Sequence, residues 1–144
     1  MSKLIKARTT QYPVVAEFTF NFDDTMVNTS GAEVDFGKTN TSATTVEIAP
    51  LPVGAVVIGG SVERTTAFDA ATYNVTVGDA DVANRYLGTT DVKATGSTAL
   101  VPTGFVSTGK PIRLTFTAAD VCTTGKGTVR VQYVMGGKAN EVQI

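Results

Sequence analysis

The sequence "LPVGAVVIGG", residues 51–60, decides how the rest of the chain is interpreted, because it is apolar, uncharged and rich in glycine. The uncharged stretch around it extends from Ile48 to Val62. A helix that spans a membrane needs about 20 consecutive apolar residues, and Pro50 and Pro52 would interrupt a helix at this point. We therefore predict that the segment is a buried β-strand rather than a membrane helix.

This strand is predicted to run from Ala55 to Phe68, with an interruption at Gly59 and Gly60. Adjacent glycines within a strand indicate a β-bulge or a sharp bend, and a long strand that bends there can leave one sheet and enter a second. Its apolar side chains fit a strand that is covered on both faces. The short sequence "DAAT" that follows predicts a hairpin with a strand that begins near Tyr73.

Alternation of apolar and polar residues is clearest in "VVAEFTFNF", residues 14–22, where it indicates a half-buried strand. No segment has the convincing periodicity of an amphipathic helix. We predict an all-β fold, an antiparallel β-sandwich or jelly-roll-like domain of about eight strands. Further strand-like segments are bounded by turn residues, at 33–36, 44–49, 72–78, 98–101, 104–107, 111–117 and 128–135.

The length of 144 residues predicts one domain. Its predicted parts are an extended N-terminal arm (1–12), the β-sandwich (13–136) and a C-terminal tail (137–144). The arm is basic, and no acidic residue precedes Glu17. It is either a frayed terminus, as chain ends often are, or a segment that becomes ordered when it docks on an acidic partner surface.

The composition excludes several classes of function. The chain contains no histidine, which excludes His-based catalytic triads and most catalytic zinc sites. Cys122 is the only cysteine, so the chain cannot form an internal disulfide. The acidic turn that contains Asp79 and Asp81 lacks the glycine and the distal glutamate of a calcium-binding loop. We predict no catalytic residue, no metal site and no cofactor; the net charge of −1 and the short apolar runs predict no nucleic-acid or membrane partner.

Between residues 50 and 135 the order of motifs resembles that of the small decoration, or cement, proteins of tailed-bacteriophage capsids. The resemblance rests first on "LPVGAVVIGGSVERTTAF" (51–68) and "YNVTVGDADVANRYLGTTDVKATGSTALVPTG" (73–104). It continues with "PIRLTFT" (111–117) and "GKGTVRVQYV" (125–134). These are strand and turn residues, and none of them forms a catalytic signature.

The resemblance implies a β-sandwich on the outer surface of an icosahedral phage head. Because the basic start of the chain lacks the long apolar run of a signal peptide, we expect the protein to be made in the host cytoplasm. Such a protein bridges adjacent capsomers of the major capsid protein, has no enzymatic activity and associates with itself as a homodimer or a homotrimer. The residues that we expect to contact the capsid lie in the arm and in the loop after the strand at 72–78, namely Lys3, Lys6, Arg8, Tyr12, Arg85 and Tyr86.

An alternative function is that of a receptor- or carbohydrate-binding β-sandwich on a phage fibre or a surface appendage. An exposed aromatic platform or a metal-bearing loop would favour this binding module. Apolar side chains left in contact with solvent in the isolated chain would favour the structural role, because large exposed apolar patches usually mark contacts with other proteins.

Overall fold

The computed structural model describes residues 12–135, and within this range the regular structure consists of ten β-strands. The prediction of an all-β chain is therefore confirmed. The strands are β1 (Val14–Asn21), β2 (Thr25–Val27), β3 (Glu33–Asp35), β4 (Thr44–Ala49), β5 (Ala55–Thr66), β6 (Tyr73–Gly78), β7 (Leu87–Asp91), β8 (Gly96–Ala99), β9 (Ile112–Ala118) and β10 (Lys126–Met135).

Eight of these strands form two four-stranded antiparallel sheets. The first sheet has the order β1-β10-β5-β8, and the second has the order β4-β9-β6-β7. Among these eight strands, β6 and β7 are the one pair of consecutive strands that share a sheet; every other connection crosses to the opposite sheet. This winding is the jelly roll. The predicted number of about eight strands matches the sandwich itself, to which β2 and β3 add a separate two-stranded sheet.

Aromatic rings fill the space between the two sheets near one end of the sandwich. The ring of Phe36, in the segment after β3, lies 4.9 Å from that of Phe20 on β1 and 4.9 Å from that of Phe116 on β9. The buried Tyr73 hydroxyl donates a hydrogen bond to the Phe36 carbonyl at 2.5 Å. Burial raises the pKa of Tyr73, so the phenol stays protonated and remains a donor.

The segment around residues 51–60 forms the beginning of β5, and its predicted irregularity is confirmed. The pairing with β10 shifts between Val57 and Gly59, which leaves Ile58 as an extra, bulged residue. Gly60 has a φ of +138°, and a Cβ atom at this position would lie 2.1 Å from the carbonyl oxygen of Arg130. Only glycine fits there without displacing the neighbouring strand.

Four predictions about this strand are wrong. β5 ends at Thr66 rather than Phe68 and stays in the first sheet along its whole length, because the bulge bends it without ending its pairing with β10. It is fully covered on one face only: Val57 is buried, whereas Ile58 is 45% exposed. The predicted hairpin with β6 does not form, since β6 lies in the second sheet.

The segment between β5 and β6 instead turns the corner of the sandwich. The amide of Phe68 donates to the carbonyl of Val92, and the carboxylate of Asp69 accepts a 2.8 Å bond from the amide of Thr123. Both partners come from other connections between the sheets. A short polar loop suits either a hairpin or such a crossing, and these tertiary bonds select the crossing.

Asp35 organises the chain between β3 and β4. Its Oδ1 atom accepts bonds of 3.0 Å from the amides of Gly37, Thr39 and Asn40, and its Oδ2 atom accepts a 2.5 Å bond from the Thr39 hydroxyl. Burial raises the pKa of this carboxyl group, but the hydrogen bonds outweigh it and lower the pKa to about 2.

Within the described residues, the first strand begins at Val14 and the last strand ends at Met135. The predicted tail and all of the predicted arm except Tyr12 lie outside the described residues. The division into an arm (1–12), a sandwich (13–136) and a tail (137–144) stays a prediction.

Candidate partner-binding surfaces

The arm residues expected to contact a partner are described only at their last position. Lys3, Lys6 and Arg8 lie outside the described residues. Tyr12, two residues before β1 begins, is 85% exposed. A tyrosine left in solvent to this extent is able to pack against another chain.

The loop after β6 is held together by Asp79, whose side chain is only 5% exposed. Its carboxylate accepts bonds from the amides of Asp81 and Val82, both at 2.9 Å, and from Nε of Arg85 at 2.5 Å. Burial raises the pKa of Asp79, but these bonds outweigh it, so the pKa lies below its ordinary value. The guanidinium of Arg85 also lies 3.5 Å from the centre of the Phe105 ring.

Arg85 and Tyr86 are therefore engaged within the chain itself. The side chain of Arg85 is 14% exposed, and Tyr86 is 2% exposed. The Tyr86 backbone donates to Val77 and accepts from Val101, which fixes the residue between two segments. The ring of Tyr86 is thus part of the core of the isolated chain, and it supports the loop. A contact between this loop and a capsid stays a prediction.

A row of aliphatic side chains crosses the first sheet at the end where β1 begins and β10 ends. We call the five residues Val15, Val56, Ile58, Val106 and Val134 the apolar strip. Val134 pairs with Val56, and Val56 forms an isolated bridge with Val106. Val15, Ile58 and Val106 are 52%, 45% and 54% exposed. The strip was not predicted, although the adjacent valines at 14 and 15, which break the alternation of β1, are a sequence signal for it.

Charged side chains occupy the same sheet next to the strip. Arg130 on β10 forms ion pairs with Glu17 on β1, at 2.9 Å, and with Glu63 on β5. Hydrogen bonds from its guanidinium to Glu63 and to Glu17 raise the pKa of Arg130. Exposed ion pairs contribute little to stability. This charged ladder, formed by Glu17, Arg130 and Glu63, therefore adds little to the stability of the fold.

β1 is an edge strand of the first sheet, and a groove runs beside it. The groove has a volume of about 360 Å³ and is open to solvent. It lies between β1 and the β2–β3 hairpin and is lined by both apolar and polar residues, namely Phe18, Phe20, Met26 and Phe36 with Thr19, Asp24 and Thr25. Sequence reasoning did not find this groove, because the position of the hairpin carries no local signal.

No group of three or more His, Cys, Asp or Glu side chains within residues 12–135 is arranged to hold a metal ion. The part of the chain that the structure describes contains no helix that is long and apolar enough to cross a membrane.

Comparison with known proteins identifies the fold. No model of a known protein family matches the chain, and no curated protein matches its sequence. A chain of the cyanophage Pam1 capsid asymmetric unit has the same fold, with 20% identity, a TM-score of 0.62 and coverage of 92% of this chain and 91% of that chain.

Two further solved structures share the fold. A chain of the acidic stable capsid structure of the Helicobacter pylori bacteriophage KHP30 is 23% identical, with a TM-score of 0.60 and coverage of 87% and 89%. A chain of the capsid of Ralstonia phage GP4 is 15% identical, with a TM-score of 0.51 and coverage of 94% and 91%. Over nearly its whole length, this chain therefore has a β-sandwich fold that is also found in the capsids of three phages.

Proposed function

We propose that this chain is a structural protein of a phage virion that decorates the outside of the icosahedral head and holds adjacent capsomers of the major capsid protein together. The observation that carries the proposal is the similarity of fold to chains in three phage capsids, which extends over about nine tenths of this chain in each case.

The surface chemistry supports an adhesive role. Val15, Ile58 and Val106 are about half exposed in the isolated chain. Burying them against another protein would contribute a favourable free energy of roughly 25 cal/mol per Å² of apolar surface. The free energy of one such contact is modest, but repetition of the contact over the lattice of a head makes the total binding free energy large. The arm with Lys3, Lys6, Arg8 and Tyr12 and the loop with Arg85 are further candidate contacts with a neighbouring protein.

The composition of the exposed surface favours this function over the binding of receptors or carbohydrates. Among residues 12–135, Tyr12 is the one aromatic residue in the set of exposed large apolar side chains, which otherwise consists of valines and Ile58. Carbohydrate sites use aromatic faces against which a sugar ring packs. Aliphatic side chains in a row instead fit contact with another protein.

The proposal is tested by placing a charge within the strip. Ile58→Glu and Val106→Glu should each reduce binding to undecorated heads by at least about tenfold, because burial of an unpaired carboxylate costs more than the 1.4 kcal/mol that corresponds to this factor. The measurement is the number of copies bound per head after sedimentation of the heads.

The matched control is Val121→Glu. Val121 is 53% exposed, as the strip residues are, but it lies in the loop before β10, at the opposite end of that strand from Val134. This variant should bind like the unchanged protein. Equal occupancy by all three variants would refute the strip as the contact with the head.

A further inference from the structure

The edge of β1 offers unpaired backbone groups over five residues. The amide of Phe22 donates a hydrogen bond to the carbonyl of Gly125, on the side of β1 that faces β10. The backbone N–H and C=O groups of the preceding residue, Asn21, instead form hydrogen bonds with Asp24 on the opposite side of β1. Because the direction of the backbone groups alternates along a strand, Val15, Glu17 and Thr19 direct their N–H and C=O groups away from β10. No other strand of the described chain pairs with β1.

An open edge of this kind is a template for an added strand. Proteins that recognise extended peptides combine such an edge with pockets for alternate side chains of the peptide. Both features are present here, because the groove lies beside this edge and its lining includes the partly exposed side chains of Phe18 and Met26. The edge supplies hydrogen bonds, and the groove supplies an apolar contact for a side chain.

The charge around this edge favours a basic segment. Residues 14–35 contain five acidic residues and no Lys or Arg. Within the described part of the chain, Asp23, Asp24 and Glu33 form no ion pair. The first eight residues, by contrast, contain three of the twelve Lys and Arg residues and no acid.

The first residues of the chain also have the pattern of a strand that could lie in this groove. In an extended conformation Ile5 and Ala7 fall on one face and Lys6 and Arg8 on the other. Eleven extended residues span about 36 Å, whereas the open edge from Val15 to Thr19 covers about 16 Å. The segment is long enough to leave one molecule and to pair with the next.

Return of this segment to its own β1 is disfavoured. Residues 1–20 contain no Gly, Asn or Asp, the residues that tight hairpin turns require. Pro13 also restricts Tyr12 to extended backbone conformations. Direct pairing of two β1 edges is disfavoured as well, because a two-fold axis at Glu17 would place two glutamates opposite each other.

We propose that the open edge of β1 receives residues 1–11 of a second copy of this chain as an added antiparallel or parallel strand. The basic arm then links copies to one another, instead of docking on the capsid protein as we expected from the sequence. The inference goes beyond the proposed function, because it concerns the association of the chain with itself and requires no phage head.

The test is the formation of mixed disulfides between two preparations of the full chain. One preparation carries a single added cysteine in the arm, in turn Ile5→Cys, Lys6→Cys or Ala7→Cys, and the other carries Glu17→Cys on the edge. A link between a molecule of each kind can arise only between copies. In the control, Ser97→Cys replaces Glu17→Cys in the second preparation. For at least one of the arm positions, we expect cross-linked dimers to be at least ten times more abundant with Glu17→Cys than with Ser97→Cys.

Ser97 is the matched control because it is an exposed residue of β8, the other edge of the same sheet. Native Cys122 is buried and should give no background. Equal cross-linking to both edges, or none to either, would overturn the proposal. So would a link that forms only when both cysteines are in one chain, since the arm would then pair with its own edge.

A second pair of variants tests the backbone bonds. Val15→Pro removes an N–H that faces away from β10, which an edge strand tolerates, whereas Val15→Thr keeps it. Each substitution is made in the preparation that carries Glu17→Cys. We expect Val15→Pro to abolish the mixed disulfide and Val15→Thr to retain it. Retention by both would contradict strand addition. These measurements use the free protein. A negative result would therefore overturn strand addition without contradicting the decoration of heads, and a failure to decorate heads would not contradict strand addition.

Discussion

At the scale of single residues, Asp35 should make the stability of the fold depend on acid pH. Its pKa of about 2 in the folded chain lies below the ordinary value of 3.8, so its contribution to the free energy of unfolding is present above about pH 4 and is lost as the pH falls towards 2. Asp35→Asn should lower the Tm at pH 7 by roughly 3–8 °C, the effect of about 1–2 kcal/mol.

The difference in Tm between Asp35→Asn and the unchanged protein should shrink towards zero at pH 2. Thermal unfolding followed by circular dichroism between pH 7 and pH 2 measures it. Asp23→Asn serves as the control, because Asp23 is exposed and accepts no hydrogen bond from the described residues. A difference for Asp35→Asn that stays constant with pH would show that the carboxylate does not act through its charge.

Gly60 gives a second prediction at this scale. Gly60→Ala should reduce the free energy of unfolding by about 1–3 kcal/mol or more, since it combines an unfavourable φ with a contact of 2.1 Å to the Arg130 carbonyl. Gly88→Ala is the control, because a Cβ atom at Gly88 meets nothing within 4 Å. Urea titration measures both, and an equal loss in the two variants would contradict the argument.

At the scale of the elements, the sequence predicts most strands and does not predict their partners. The alternation at residues 14–22 identifies β1, and the two adjacent glycines identify the bulge in β5. The choice between a hairpin and a crossing after β5 depends instead on bonds to Val92 and Thr123, which are distant in the sequence. Local periodicity contains no information of this kind.

The same limit applies to the candidate surfaces. A basic arm can be read from the first eight residues, but the edge that would receive it exists only because β1 pairs with β10 on one side alone. The burial of Tyr86 likewise follows from its bonds to Val77 and Val101, whereas the sequence shows only a tyrosine next to an arginine. Partner-binding surfaces are properties of the assembled sheets, and single segments do not specify them.

At the scale of the whole molecule, the apolar strip, the charged ladder and the open edge all involve the sheet that contains β1, β10 and β5. In the proposed virion this sheet makes the contacts, and the second sheet braces it through the shared core. The strip then adheres to the head, and the arm and edge join copies along its surface. In this proposal, one jelly roll carries both kinds of contact.

Electron cryomicroscopy of undecorated heads mixed with the purified chain tests the central claim most directly. The account predicts density for one jelly roll at repeated positions on the outside of the head, in contact with at least two capsomers and with the strip end of the first sheet towards the shell. Heads that remain bare at saturating concentrations of the chain would contradict it, as would density confined to the interior.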